Sequence, residues 1–529
     1  MKKVLLTLFI AFGYFVSLAQ PSIIMQKTFG GSGEDYSYSI SPTSDGGSIV
    51  AGWSDSPDGD KLVSLGLQDY WILKLNSLGN IQWQKSLGGT NNDNAFAIKQ
   101  TTDGGYIVAG GSYSNDGNVT GNNGDEDFWI VKLNHQGIIK WQTSLGGSGQ
   151  DYAYDVVQTS DGGYLVAGTT YSSDGDVIGH HGGADYWVVK LGKGGNVQWK
   201  RALGGSGEDM AWSIQNVVAG GYIVAGWSNS NDGDVTGSLG DYDYWVVRLR
   251  KNGTVKWQKS FGGSGEDRAF SVDVRSDSGF VVAGFSTSTD GDVTGNQGGR
   301  DYWVAKLSNI GKLQSQNSFG GTSEDVATNV EQSTDGGFII SGYTQSNDGD
   351  VSFNNGFVDY WLVKTDNSLA IEWEKSLGGS GDDAPGKGYQ TASSGYIIPG
   401  RSNSNDGDVT GHKGNGDYWI VELSTINAKS IVEEMNQLPN EELKQHSGDF
   451  NIFPNPASDY FNCEFVSNSD EPIAISLIDL SGRIVLRQSV QVKEGYNLIQ
   501  KDVSKLAKGI YYLHIESSEK NSYIKVLVK

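Results

Sequence analysis

An Asp-Gly pair recurs at Asp58, Asp116, Asp174, Asp232, Asp290, Asp348 and Asp406, and every interval is 58 residues. A tryptophan keeps the same beat at Trp71, Trp129, Trp187, Trp245, Trp303, Trp361 and Trp419. So does a Gly-Gly pair, from Gly30-Gly31 to Gly378-Gly379. Seven copies without insertion or deletion imply seven equivalent units stacked in the same way. A fixed period of this size marks a solenoid, a propeller or an array.

One repeat, residues 196–253, reads as four strands. "NVQWKRAL" alternates apolar and polar residues, as a strand with one buried face does. "GGSGED" is a loop and "MAWSIQNV" a second strand. "YIVAGWS" is apolar almost throughout, as expected when both faces are covered. The acidic loop "NSNDGDVTGSLGDYD" leads to "YWVVRLR", and "KNG" turns into the next copy. Glycine-bearing turns between apolar runs are hairpin signals. Four antiparallel strands per unit and seven units predict an all-β, seven-bladed β-propeller over residues 20–423. A string of separate domains is disfavoured, because 58 residues make a marginal core alone.

The ends of the repeat array carry the closure. "IIMQKTFGG" at Ile23–Gly31 matches "IQWQKSLGG" at Ile81–Gly89, yet no repeat precedes it. The seventh repeat stops after "DYWIVEL" and lacks that strand. The orphan strand is expected to complete the last blade and to protect edges that an open array would expose.

Strand direction alternates, so the "NDGDVTG" and "GGSGED" loops of all blades share one face of the disc. Three chemistries are open to that face. Carboxylates at Asp58, Asp60, Asp116, Asp174, Asp176, Asp232, Asp234, Asp290, Asp292, Asp348, Asp350, Asp406 and Asp408 could hold Ca2+. Ser228-x-Ser230-x-Asp232-Gly233-Asp234 spaces its oxygens like a calcium loop, although no glutamate follows at the twelfth position. The tryptophans from Trp71 to Trp419 could offer ring faces to carbohydrate, or fill the spaces between blades. The aspartates could equally be turn formers bonded to local backbone N–H groups. A phosphate cradle at "GGSGED" is excluded, because no Lys-Ser or Lys-Thr helix start follows.

A catalytic site is one asymmetric constellation, whereas a scaffold repeats its surface. Residues peculiar to one repeat are few: His180 and His181, Arg268 and Arg300, Ser315 in place of a tryptophan, and Pro385, Lys387 and Pro399 in the seventh. The expectation is a non-enzymatic binding or adhesion scaffold for polysaccharide or a surface protein. The alternative is a polysaccharide hydrolase or lyase with its site in the central pocket.

A net charge of −23 argues against nucleic acid as a partner. "MKKVLLTLFIAFGYFVSLAQ" has the basic start, apolar core and small-residue end of a secretory signal peptide, residues 1–19. No later stretch is long and apolar enough for a transmembrane helix. The single cysteine, Cys463, rules out an intramolecular disulfide.

From Ser424 to Asp449 the pattern lapses into a polar linker. Residues 450–529 then read as a small β-sandwich, with alternating apolar residues and Gly482 and Gly509 at turns. Phe453-Pro454-Asn455-Pro456, the "DLSGRIV" hairpin at Asp479–Val485, Leu506 with Gly509-Ile510-Tyr511, and the terminal "KVLVK" resemble the type A C-terminal sorting domain of the type IX secretion system. That resemblance implies the type IX machinery as a partner, passage across the outer membrane of a Gram-negative cell, and a location on the cell surface or in the medium. It implies nothing about the activity of the repeats. These are similar to bacterial propeller repeats of the kelch or quinoprotein kind, and no cofactor is carried over from that similarity.

Overall fold

A computed structural model describes residues 21–424 except 392–394, and residues 450–529 except 468–469, 471, 480–483, 505, 507 and 517–520. The expected signal peptide and linker lie outside the described residues. Every regular element among the described residues is a β-strand.

The first blade is β2 (Asp35–Pro42), β3 (Ser48–Ser54), β4 (Asp69–Leu75) and β5 (Ile81–Leu87), hydrogen-bonded in that order and antiparallel. Strands β6 to β25 (93–377) repeat the pattern five times. All seven residues of β4 are buried, because neighbouring blades cover both faces of the sheet. The outermost strand β5 is mostly half-buried. That gradient explains why the "DYWILKL" strands are almost wholly apolar while the "IQWQKSL" strands alternate.

The seventh blade closes as expected. β1 (Ile23–Phe29) pairs antiparallel with β30 (Asp417–Leu423), placing Thr28 opposite Trp419. Its innermost strand departs from the others. It is broken into β26 (Asp383–Pro385) and β27 (Tyr389–Gln390), facing β29 (Gly400–Ser402) and β28 (Tyr396–Ile398). Between the two halves Gly386 keeps one bond to its own blade, its N donating to Pro399 O at 2.8 Å, and Lys387 turns to the first blade, where its N donates to Tyr38 O at 2.7 Å.

Blades are joined through an aromatic step. Tyr70 Oη donates to Trp129 O of the next blade at 2.9 Å, and their ring centroids lie 4.5 Å apart. The same Tyr-to-Trp bond recurs from Tyr186, Tyr244, Tyr302 and Tyr360. Such ring pairs add about 0.5–1.5 kcal/mol beyond their area burial. Each hydrophobic cluster therefore spans two blades, as with Phe128, Ile130 and Trp187.

The C-terminal unit packs two sheets face to face. One is β31 (Phe450–Phe453), β32 (Tyr460–Ser467) and β35 (Gly495–Asp502). The other is β33 (Pro472–Asp479), β34 (Ile484–Gln491), β36 (Gly509–Glu516) and β37 (Asn521–Val528), in the order β34-β33-β36-β37. Phe461, Cys463, Ile475, Leu513 and Val526 fill the space between them. The turn of the Asp479–Val485 hairpin lies outside the described residues.

Candidate functional site

The seven repeat tryptophans are not on the surface. Trp71, Trp129, Trp187, Trp245, Trp303, Trp361 and Trp419 are at most 1% exposed. Most of their indole N–H groups are taken up inside the same blade, as with Trp245 Nε1 on Gln258 Oε1 at 2.8 Å. A ring without accessible surface offers no face to a sugar, so these residues pack blades and do not contact ligand.

The loop aspartates bond to backbone. Oδ1 of Asp58, Asp116, Asp174, Asp232, Asp290, Asp348 and Asp406 each accepts the N–H of the serine or threonine 26 residues earlier, at 2.7–2.8 Å. Those N–H groups hold the Asp174, Asp232 and Asp290 carboxyls below the ordinary value. The next acidic position ties the same two loops through its own N–H: Asp60, Asp176, Asp234, Asp292, Asp350 and Asp408 donate to Gly30, Gly146, Gly204, Gly262, Gly320 and Gly378. Among the described residues no group of three or more His, Cys, Asp or Glu side chains could hold a metal ion. His180 and His181 are likewise engaged locally, on Gly183 O and Asp185 Oδ2 at 3.0 Å.

Other aspartates that the loop pattern places on the surface are buried. Asp35, Asp209, Asp243 and Asp267 are 0% exposed. They belong to a ring of carboxyl pairs, one at each blade junction: Asp69 with Asp93, Asp127 with Asp151, Asp185 with Asp209, Asp243 with Asp267, Asp301 with Asp325, Asp359 with Asp383, and Asp417 with Asp35. The first glycine of each Gly-Gly pair fits between the partners. A Cβ on Gly146 would lie 2.3 Å from Asp127 Oδ1 and 2.5 Å from Asp151 Oδ2. Burial, then the charge of neighbouring carboxylates, raises Asp127, Asp301 and Asp359 to about 7.

The site that gathers single-blade features is on the axis. In the innermost strand of blades 1–6 the register with its neighbour slips by one residue, as between Ala153 and Asp155. The bulged residue is Tyr38, Phe96, Tyr154, Trp212, Phe270 or Thr328. A bulge re-aims its side chain, here toward the axis. The facing strand makes room with glycine: a Cβ on Gly168 would meet Tyr152 O at 1.8 Å. Five rings from five successive blades then touch in order. Centroids are 5.1 Å apart for Tyr38–Phe96, 5.3 Å for Phe96–Tyr154, 4.1 Å for Tyr154–Trp212 and 5.1 Å for Trp212–Phe270. Tyr36 stacks on Tyr38 at 4.3 Å. With Thr328, Tyr343 and Pro385–Lys387 they enclose a cup of about 210 Å³, near the face that carries the acidic loops.

Around the cup stands a polar rim whose charges are paired. Arg268 binds Glu266 at 2.6 Å and lies 4.3 Å from the ring centres of both Trp227 and Tyr242. Arg300 bridges Glu266 and Glu324 at 3.4 and 3.3 Å, and Arg401 binds Glu34 at 2.7 Å. Behind Tyr152, Glu126 fills the space that Gly111 leaves free. It is 2% exposed, and burial pushes its carboxyl up to about 7 against hydrogen bonds from Tyr113 and Tyr152.

Lys387 forms the floor. Its Nζ donates to Trp212 O at 3.0 Å and lies 3.7 Å from Asp155 Oδ2. Burial lowers the pKa of this ammonium group, and Asp155 opposes the shift.

Two grooves open on the opposite face. At four junctions a glutamine seals the space, as where Gln158 Oε1 accepts Thr102 N–H at 2.8 Å. Asn216 and Pro42 stand in its place beside grooves of about 660 and 320 Å³. Asn216 is one methylene shorter, and proline has no side-chain acceptor.

Comparison with known proteins bears on the two parts unequally. Residues 451–529 match the secretion system C-terminal sorting domain. The C-terminal unit is therefore a type IX sorting domain, and the chain is a secreted or cell-surface cargo of that machinery. The regulatory protein FlaEY of Caulobacter vibrioides is 23% identical over 377 residues, covering 62% of this chain and 38% of FlaEY. Solved structures align at lower identity. A puromycin hydrolase aligns with a TM-score of 0.45 at 10% identity, covering 82% of this chain and 59% of that one. A putative gluconolactonase aligns with a TM-score of 0.32 at 9% identity, covering 76% and 98%. This chain thus spans less than two thirds of both FlaEY and the hydrolase.

The repeat pattern alone did not single out the cup. Its signal was available: the fourth residue of the innermost strand, three after the "GED" aspartate, is aromatic in five of seven repeats. Of the single-repeat residues, Arg268 and Arg300 reach the rim and Pro385 and Lys387 reach the floor, whereas His180 and His181 do not take part.

Proposed function

We propose that the propeller is a non-enzymatic binding domain, exported to the cell surface or medium, that holds an uncharged sugar unit of a polysaccharide in the axial cup. The observation that carries this reading is the unbroken arc of five rings from Tyr38 to Phe270 within a polar rim. Aromatic faces stack on the C–H faces of sugar rings, and the hydroxyls of Tyr36, Tyr38 and Tyr154 supply polar contacts. Rim charges already neutralise one another, and Lys387 is matched by Asp155, so the lining favours a neutral ligand over an ionic one. The lining is a repertoire for binding: rings, hydroxyls and a tethered ammonium. A glycan array probed with the parent and with Trp212→Ala tests it. Retention of neutral polysaccharides by the parent and their loss in the variant is the expected result. Equal retention by both proteins would move the site elsewhere, and shortening of the retained glycan would make the protein a hydrolase or lyase.

A further inference from the structure

The floor of the cup bears on which part of a polysaccharide can enter. A propeller axis is ordinarily a channel, and a channel could thread a chain or bind its middle. Here the channel is crossed beneath the rings. The backbone N–H of Lys387 donates to Tyr38 O in blade 1 at 2.7 Å, and its Nζ donates to Trp212 O in blade 4 at 3.0 Å. The side chain is thus a beam between blades on opposite sides of the axis. It lies under the rings at its two anchor points.

The device that places it is confined to the seventh blade. Pro385 and Gly386 end the regular pairing of the innermost strand, since proline supplies no N–H to a ladder. Gly386 then passes so close to the first blade that a Cβ there would lie 2.4 Å from Tyr38 O. The return bond from Ile40 N to Lys387 O, at 3.3 Å, fixes the segment. The 58-residue period is kept, so the beam arises by rerouting the strand and not by an inserted loop.

The remaining space of about 210 Å³ is smaller than the roughly 300 Å³ of ordinary small-molecule sites. It takes one ring-sized unit. With Lys387 below, that unit has a single way in and out. We infer that the cup recognises the terminal unit of a polysaccharide chain and not an internal segment, with Lys387 as the residue that imposes this choice. This rests on the proposed sugar-binding function.

The test uses the full secreted chain and a panel of neutral glucans, xylans, mannans and galactans. Each is offered at equal mass, intact and after partial acid hydrolysis that shortens its chains about tenfold. End recognition predicts that the mass of protein bound per gram at saturation rises about tenfold with the number of ends. Oligosaccharides from trimer to hexamer should bind with equal Kd within about 3-fold. Unchanged capacity after hydrolysis, or Kd falling steadily with length, would overturn end recognition while leaving the sugar site in place. Failure of every polysaccharide to bind would overturn the sugar site, and this inference with it.

Discussion

Tyr418 Oη donates to Trp71 O at 2.9 Å, across 347 residues of sequence. The bond is the same one that joins interior blades, so the last junction is built like the others. What permits it is the strand borrowed from the N-terminal side. Deleting residues 21–29 removes the pairing of β1 with β30 and bares an edge. At roughly 0.5–1.5 kcal/mol per hydrogen bond, the loss is about 3–6 kcal/mol, seen as a lower melting temperature and aggregation. A synthetic peptide of residues 21–31 should restore part of it. An unchanged melting temperature would show that the ring closes without this strand.

Leu369 and Ser315 form a compensating pair. In four other junctions a glycine in the left-handed conformation packs on the tryptophan of the preceding blade, as Gly311 does on Trp257. At the equivalent places the sixth repeat has Leu369, at φ +70°, and the fifth has Ser315. Leu369 is 1% exposed and fills the room that a tryptophan would take. Ser315→Trp alone should cost about 1–3 kcal/mol by overpacking, and Leu369→Gly in the same protein should recover most of it. Chemical denaturation of the two single variants and the double variant checks this. Additive losses would dissolve the pairing.

The buried carboxyl pairs set a pH dependence. Asp127, Asp301 and Asp359 are raised to about 7 by burial and by neighbouring carboxylates. A carboxyl whose folded pKa exceeds its unfolded value of about 4 binds more protons in the folded state. Its contribution to stability is therefore full below pH 4 and is lost as pH rises through 7. Asp161 works the other way: hydrogen bonds from Thr159 and the charge of Lys190 hold it at about 2, so its contribution is lost only as pH falls from 4 toward 2. The melting temperature should peak near pH 4–5 and fall toward pH 8. Asp301→Asn should flatten the fall. A melting temperature that rises from pH 5 to pH 8 would mean that the pairs are relieved in another way.

The loop aspartates act here as acceptors for backbone N–H groups. Asp232→Asn keeps an acceptor oxygen and should melt close to the parent, whereas Asp232→Ala frees the Ser206 N–H and should melt lower. Millimolar calcium should leave these differences unchanged. A calcium-dependent rise in the parent that disappears in Asp232→Asn would instead make this loop an ion site.

Periodicity made the architecture legible. The spacing of Asp-Gly, Gly-Gly and tryptophan fixed blade number, strand order and closure, because each blade solves the same packing problem. The same sameness hid the site. Trp71 and its copies stand out because every junction needs them, and that need buries them. Tyr38, Phe96, Tyr154, Trp212 and Phe270 differ in identity, so no motif links them, and only the bulge turns them toward one point. Asp35 and Asp243 look like surface charge in sequence because nothing local shows that adjacent blades will cover them. Lys387 was visible as an oddity of one repeat, but its reach to Trp212 depends on the rerouted strand.

The number of ligands bound per chain tests the central claim most directly. A site made by the seven repeated loops would bind about seven equivalents, whereas the axial cup binds one. Calorimetric titration of the intact protein with an oligosaccharide of the retained polysaccharide should give a stoichiometry of one and no heat with Trp212→Ala. A stoichiometry near seven, or binding that survives in Trp212→Ala, would contradict it.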